Sequence, residues 1–431
     1  MSLDDGLVAD AAALTAWLRQ AALPVWSTRG RNAAGAFEER LSQDGFPIIE
    51  PRRARVQARQ LYVFAEAGRC GWSGPWRSAT EAGLNDLRRS FLRPDGQIRR
   101  VVSHKGEPLD DTAYLYDQAF YLLALASVSR AFDAALFERD AVALRDRLRT
   151  TADGQGGMRE AGAHPYQANA HMHLLQAALA WKEAGVDPGW KALSDQIVRL
   201  AKTRLIDAEG GFIREFFEAD WSPADGADGH LVEPGHQFEW AWLLARYGRA
   251  RADADAIDDA WRLYAAGLRG VDPQRRVAVD EMNDDVSMRL LRARLWPQTE
   301  WLKASLMLAS LCDGARRIEC LRQGDSALRA LLGYLTKSGV WTDKMSAGGL
   351  FVDEPAPASS FYHLMAAYLQ TRDAVIGLEK DRFPSVDLAQ GVDGASDIGW
   401  IGGRCHEACF EVGPVDGVMT IDRGTGHGDA V

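Results

Sequence analysis

The chain has 431 residues with a formal net charge of −10, 47% hydrophobic and 26% charged residues, so a large soluble core is available. No long basic run offsets the acidic balance, which argues against a nucleic-acid or anionic-membrane partner. No apolar run reaches about 18 residues, which argues against a membrane span.

Helical periodicity recurs along the chain and predicts twelve helices, near 8–22, 53–70, 77–92, 110–132, 134–151, 166–185, 188–206, 235–251, 253–270, 295–311, 314–337 and 358–373. Odd-numbered members carry charged faces, as in Asp140 to Leu148. Even-numbered members are apolar on most sides, as in Tyr116 to Ala126 and Phe238 to Ala245. A helix wet on one face and a helix buried all round are the expected outer and inner members of a concentric pair.

After most odd helices a Gly turn leads into a short β-like stretch and a polar loop. The instances begin at Asp44-Gly45-Phe46, Asp95-Gly96-Gln97, Gly156-Gly157-Met158, Gly210-Gly211-Phe212, Arg276-Val277-Ala278 and Gly339-Val340-Trp341. A unit returning roughly every 50–65 residues is an internal repeat. The expected fold is therefore all-α, an (α/α)6 barrel of six helical hairpins spanning 1–375. The long odd-to-even connections, with the first turns of the even helices, would gather at one mouth, whose helix N-termini favour negative charge. Residues 376–431 are Gly-rich and aperiodic and are expected to form an irregular or disordered tail. Within it, Cys405-His406-Glu407-Ala408-Cys409 is only a partial metal-ligand set.

The even helices carry the polar residues. On the second, Arg55 and Arg59 share a face four apart, which suits either a ligand or outward salt bridges. On the fourth, Asp117 and Gln118 interrupt an apolar run beside Tyr116, which suits either a buried network or a polar cavity. On the sixth, Asn169 and His173 share a face, while His171 lies two residues from His173, the wrong spacing for a helical zinc site. On the eighth, His236 and Glu239 are three apart at the start of an apolar helix, an arrangement suited to a tuned proton carrier. The tenth opens Leu295-Trp296-Pro297-Gln298-Thr299-Glu300, with Trp296 and Glu300 as candidates for the rim and wall of a cavity. The twelfth places His363 early in its helix, as His236 is in the eighth.

The ordered blocks Arg55–Tyr62, Tyr116–Phe120, Asn169–Leu174, Pro234–Trp240, Trp296–Glu300 and Phe361-Tyr362-His363 resemble the N-acylglucosamine 2-epimerase family, nearest its mannose isomerase and mannose-6-phosphate isomerase-type branch. The resemblance covers about residues 20 to 373 and implies the same (α/α)6 barrel. It implies proton transfer at C2 of an open-chain aldose without metal or redox cofactor. By position, His236 and His363 resemble the acid/base histidines and Glu239 the carboxylate that orients the first. Arg55, with Arg59 as second choice, resembles the group on the sugar oxygens, and His173 with Asn169 the group assisting ring opening. Tyr116, Trp296 and Glu300 complete the expected substrate site. Cellobiose-acting members place a Trp where this chain has Ala358, which speaks against a disaccharide.

The expectation is a cofactor-independent aldose–ketose isomerase acting on mannose or a related aldose. The alternatives are a sugar 2-epimerase, a mannose-6-phosphate isomerase, a glycoside hydrolase or an inert sugar-binding protein. With no phosphate cradle evident, a free monosaccharide is favoured. No signal peptide is visible in Met1-Ser2-Leu3-Asp4-Asp5, and the five scattered Cys fit a reducing cytoplasm. The expected assembly is a monomer or homodimer.

Overall fold

The computed structural model describes residues 3–133 and 136–382. From the N-terminus, α1 (Leu3–Trp17) runs through a π-helical turn, Leu18–Ala22, into α2 (Leu23–Thr28). There follow α3 (Ala54–Arg69), α4 (Trp76–Phe91), α5 (Leu115–Phe132), α6 (Leu136–Arg149), α7 (Ala168–Ala184) and α8 (Gly189–Leu200). The last five are α9 (Pro234–Arg251), α10 (Ala254–Arg269), α11 (Leu295–Ala309), α12 (Gly314–Tyr334) and α13 (Ser359–Arg382). Helices α3, α5, α7, α9, α11 and α13 each pack on the next, and α13 returns to α3, closing an inner ring. Each of the first five packs on the helix that follows it, and α1 closes the outer ring against α12 and α13. The fold is an (α/α)6 barrel.

Burial explains the two helix classes. All of α11 is buried, whereas α10 alternates buried Leu263 and Tyr264 with charged residues, the pattern of a helix packed on one side. Inner-to-outer connections are short and outer-to-inner ones long, so the long loops collect where the inner helices begin. Helix α13 runs on to Arg382, past the expected end at 373 and the expected domain boundary at 375. Residues 383–431, including the Cys405–Cys409 cluster, lie outside the described residues.

The loops repeat with a definite chemistry. Each begins with an antiparallel turn that pairs Arg31 with Phe37, Leu92 with Ile98, Ala152 with Met158, Ile206 with Ile213, Val271 with Ala278 or Leu335 with Trp341. The residue two places before the second partner has positive φ in all six turns. It is Gly35, Gly96, Gly156, Gly211 or Gly339 in five and Arg276 (φ 56°) in the sixth. The 44–49 stretch, read from sequence as the first of these turns, is instead a second turn in its loop, pairing Leu41 with Pro47.

The turn is latched to the barrel from below. Gln57, on the first turn of α3, accepts from Phe37 N at 3.0 Å and donates to Phe37 O at 2.9 Å. Gln118 holds Ile98 in the same way, Gln237 holds Ile213 and Gln298 holds Ala278. In the third repeat His171 Nε2 accepts from Met158 N at 3.0 Å. Gln118 and His171 are thus structural latches. Each satisfies a buried strand backbone that would otherwise be unpaired.

Candidate active site

The described helix N-termini of the inner ring have no side-chain caps of their own, and carboxylates from the loops serve them instead. Glu160 accepts from Leu115 N and Tyr116 N at 2.7 and 2.9 Å, Glu39 from Arg53 N at 2.6 Å and Asp280 from Arg294 N at 2.9 Å. These residues stand two places after the second partner of their loop's turn, as do Glu215 and Asp343 in theirs. The mouth of the barrel is therefore ringed by buried acids.

Within the ring lies a cavity of about 200 Å³. Its walls include Arg59, Tyr116, Asn169, His173, His236, Glu239, Trp296 and His363, contributed by all six inner helices. Glu233, Arg294, Asp343, Ser359 and Ser360 complete the wall from loop ends and helix starts.

Trp296 touches both early-turn histidines, with ring centroids 4.9 Å from His236 and 5.6 Å from His363. Each histidine is backed by a carboxylate on Nδ1. His236 Nδ1 lies 2.8 Å from Glu215 Oε2 and 3.8 Å from Glu233 Oε2, and His363 Nδ1 lies 2.8 Å from Glu300 Oε1. Such a contact holds the proton on Nδ1 and leaves Nε2 free for the cavity.

The two imidazoles are tuned in opposite directions. Burial alone would lower His236, but Glu215 and Glu233 outweigh it and push the group up to about 9. Burial dominates at His363; Glu300 recovers part of the shift, Arg59 and Lys303 oppose it, and the group falls to about 4. At neutral pH His236 is therefore an acid and His363 a free base.

His173 sits one layer deeper, between the rings of Tyr116 and Phe120 at 5.1 and 4.3 Å. Its Nδ1 lies 3.3 Å from Gln176 Oε1 and 3.9 Å from Glu239 Oε1, and burial, reinforced by Arg59, keeps it neutral. Asn169 faces the cavity with its buried Oδ1 free of protein partners.

Two expected pairings are corrected. Glu239 is not the carboxylate on His236 Nδ1: its charge adds to the upward shift of His236, but it lies 3.9 Å from both His173 Nδ1 and Lys303 Nζ. The support is Glu215, from the loop before α9. Arg55 is not on the cavity either. Its Nε pairs with buried Asp117 at 2.7 Å, while Arg59, one turn further in, lines the cavity and donates to the Tyr116 hydroxyl at 2.5 Å and Ser359 O at 3.3 Å. Glu300 is no wall residue but lies fully buried behind His363.

Sequence reasoning missed Glu215, Glu233, Arg294, Asp343 and the two serines. The recurrence of an acid two places after the second turn partner was the available signal for Glu215 and Asp343. Glu239, Glu300 and His363 bring donor atoms within 4.8 Å of one another, a spacing open to a cation. The Lys303 ammonium already sits there, 2.5 Å from Glu300 Oε2.

Comparison with known proteins agrees with this fold. Residues 35–367 match the family model described as N-acylglucosamine 2-epimerase (GlcNAc 2-epimerase). The chain is 43% identical over 377 residues to a mannose-6-phosphate isomerase of Rhizobium meliloti (strain 1021), covering 84% of this chain and 96% of that protein. It is 31% identical over 185 residues to a D-mannose isomerase of Pseudomonas cannabina pv. alisalensis, covering 37% of this chain and 44% of that protein. Among solved structures, the cellobiose 2-epimerase of Spirochaeta thermophila superposes with a TM-score of 0.78 at 20% identity, covering 88% of this chain and all of that one. The barrel, the histidine-lined cavity and the match across most of the chain place it in the N-acylglucosamine 2-epimerase family, as a sugar isomerase or epimerase.

Proposed function

We propose that this enzyme interconverts an aldose and its ketose, mannose and fructose or a close relative, by carrying a proton between C2 and C1 through an enediolate. One observation carries the reading: His236 and His363 flank a single cavity and are held in opposite protonation states.

His173, neutral and beside Asn169, takes the anomeric O1–H proton and hands it to the ring oxygen as the C1–O bond breaks, which frees the open-chain aldehyde. His363, with Nδ1 committed to Glu300, takes the C2 proton on Nε2. Negative charge develops on O1 and O2, where Arg59 and protonated His236 stabilise it, the charge-directed contribution expected to dominate such a step. Protonated His236 gives a proton to O1 and takes the one on O2, and return of the proton from His363 to C1 then gives the ketose. Delivery by His236 to the opposite face of C2 would give the epimer.

A cavity of about 200 Å³ suits one monosaccharide. Its two arginines each have protein partners, Arg294 in Glu233 and Asp280, and Arg59 in Tyr116 and Ser359. Glu233, Glu239 and Asp343 in the same wall match Arg59, Arg294 and protonated His236 in number, so no surplus of cations awaits a phosphate dianion, which favours a free sugar. A hydrolase would need two carboxylates across the cleft. Here Glu239 and Glu300 lie close together around Lys303, which supports the isomerase reading instead.

The test is proton NMR of EDTA-treated enzyme in deuterated water with mannose, glucose, N-acetylmannosamine and the 6-phosphates. Fructose formed from mannose, with deuterium entering at C1, is expected. Exchange at C2 with epimer and no ketose would replace isomerase by epimerase. Turnover of mannose 6-phosphate at a kcat/KM equal to or above that of mannose would overturn the free-sugar preference. Loss of activity on chelation that zinc restores would overturn the metal-free mechanism.

A further inference from the structure

Lys303 lies one turn beyond Glu300 on α11 and is fully buried. Its Nζ is 2.5 Å from Glu300 Oε2, 3.9 Å from Glu239 Oε1 and 4.1 Å from the centre of the Trp242 ring. Burying an ammonium is costly unless the charge is paired, so this placement calls for an explanation. Its two carboxylate partners stand behind different histidines. Glu300 holds Nδ1 of His363, and Glu239 approaches Nδ1 of His173. Neither oxygen of Glu239 has a hydrogen-bond partner in the protein.

We propose that Lys303 is a positioning residue of the proton transfer: its shared ion pair keeps Glu300 ionised beside Glu239, so that Glu300 accepts from His363 Nδ1 and leaves Nε2 as the base. The proposal rests on the reading of His363 as the base. Other charged or titratable groups facing the pair are Arg59 from α3, His173 from α7, His236 from α9, and Tyr362 and His363 from α13. Of these, Arg59 is the cation that does not titrate, and its two terminal nitrogens donate to Tyr116 and Ser359.

Burial and the Glu300 charge already push Glu239 up to about 7 beside the ammonium; without it Glu300 also loses its 2.5 Å ion pair, the larger loss of the two, and the pair takes up a proton that Glu300 shares. A protonated Glu300 donates to Nδ1 of His363. The imidazole proton then moves to Nε2, where no lone pair remains for C2. Raising the pH removes the extra proton and restores the base.

The near-isosteric variants Lys303→Gln and Glu239→Gln/Lys303→Gln test this by the pH profile of kcat, by 15N NMR of His363 and by thermal unfolding. For K303Q the acid limb should rise from about 4 to 7 or above, which lowers kcat at pH 7 by at least 2-fold and by about 10²-fold where the limb reaches about 9, with KM little changed. The His363 signal should change from the Nδ1–H to the Nε2–H tautomer at pH 7. Adding E239Q removes the repulsion, so it should return the limb and tautomer towards wild type and recover part of the lost melting temperature.

A K303Q enzyme with the wild-type limb and tautomer overturns the proposal. So does a double variant no more stable than K303Q, an outcome readable even if K303Q folds poorly. Failure of the wild type to turn over any aldose would instead sink the isomerase reading, and the tautomer measurement would still report on Lys303.

Discussion

Replacing Glu215 by Gln isolates the charge behind His236. The amide oxygen can still accept from Nδ1, so the 2.8 Å contact survives while the negative charge does not. Two unit charges about 4 Å apart interact by about 4 kcal/mol at an effective dielectric of about 20 and about 1 kcal/mol in water, or roughly 3 and 0.7 pKa units. Glu233, 3.8 Å away, remains and keeps part of the upward shift. His236 should therefore fall from about 9 by roughly 1–3 units.

The sign follows from the role. His236 acts as the protonated partner, so activity is present below its pKa and lost as pH rises through it. In E215Q the alkaline limb of kcat/KM should move down by that amount, while the acid limb, set by His363 near 4, stays where it is. The same change bears on stability. The raised pKa of His236 contributes fully below its unfolded value of about 6.5 and loses that contribution as pH rises towards 9, so E215Q should lose stability most at the acid end of that window. The assay is initial-rate kinetics on mannose from pH 4 to 10, with enzyme shown to be folded at each pH. An alkaline limb that does not move, or an acid limb that moves instead, would refute the assignment of Glu215 to His236.

The two arginines of α3 should separate stability from catalysis. Arg59→Ala is expected to lower kcat by about 10²–10³-fold through loss of oxyanion stabilisation. Arg55→Ala leaves buried Asp117 without its partner and should cost about 3–5 kcal/mol in denaturant unfolding, with the smaller effect on kcat of folded enzyme. Gln298→Ala should cost about 2–4 kcal/mol, because both Ala278 N and Ala278 O lose a buried partner; a midpoint unchanged in urea would show that the latch is dispensable. Gly339→Ala forces a Cβ at φ 81° to within 2.5 Å of Ala21 O and should lower the melting temperature while leaving KM unchanged.

The architecture is legible in the chain because its causes are local. Positive-φ glycines such as Gly96 and Gly156 mark the turns, and the contrast between charged-face and all-apolar helices marks outer and inner members before any contact is known. His236, His363 and His173 could be picked out for the same reason, since each lies in the first two turns of an inner helix. What sequence spacing could not decide is which acid stands behind which histidine. Glu239 is three residues from His236, yet that turn of helix carries it to the axis, where ring closure brings it to His173 and Lys303. Glu215 reaches His236 across 21 residues and Glu300 reaches His363 across 63, because separate hairpins meet at one mouth.

Arg55 and Arg59 share a helical face, and only their depth in the barrel assigns one to Asp117 and the other to the cavity. Proton affinities follow from those neighbours and from burial. The helices and turns are thus written in the sequence, while the opposite tuning of the two histidines exists only once the ring has closed. Helix and turn depend on residues a few places apart, whereas the field at an imidazole depends on every charge the fold gathers around it.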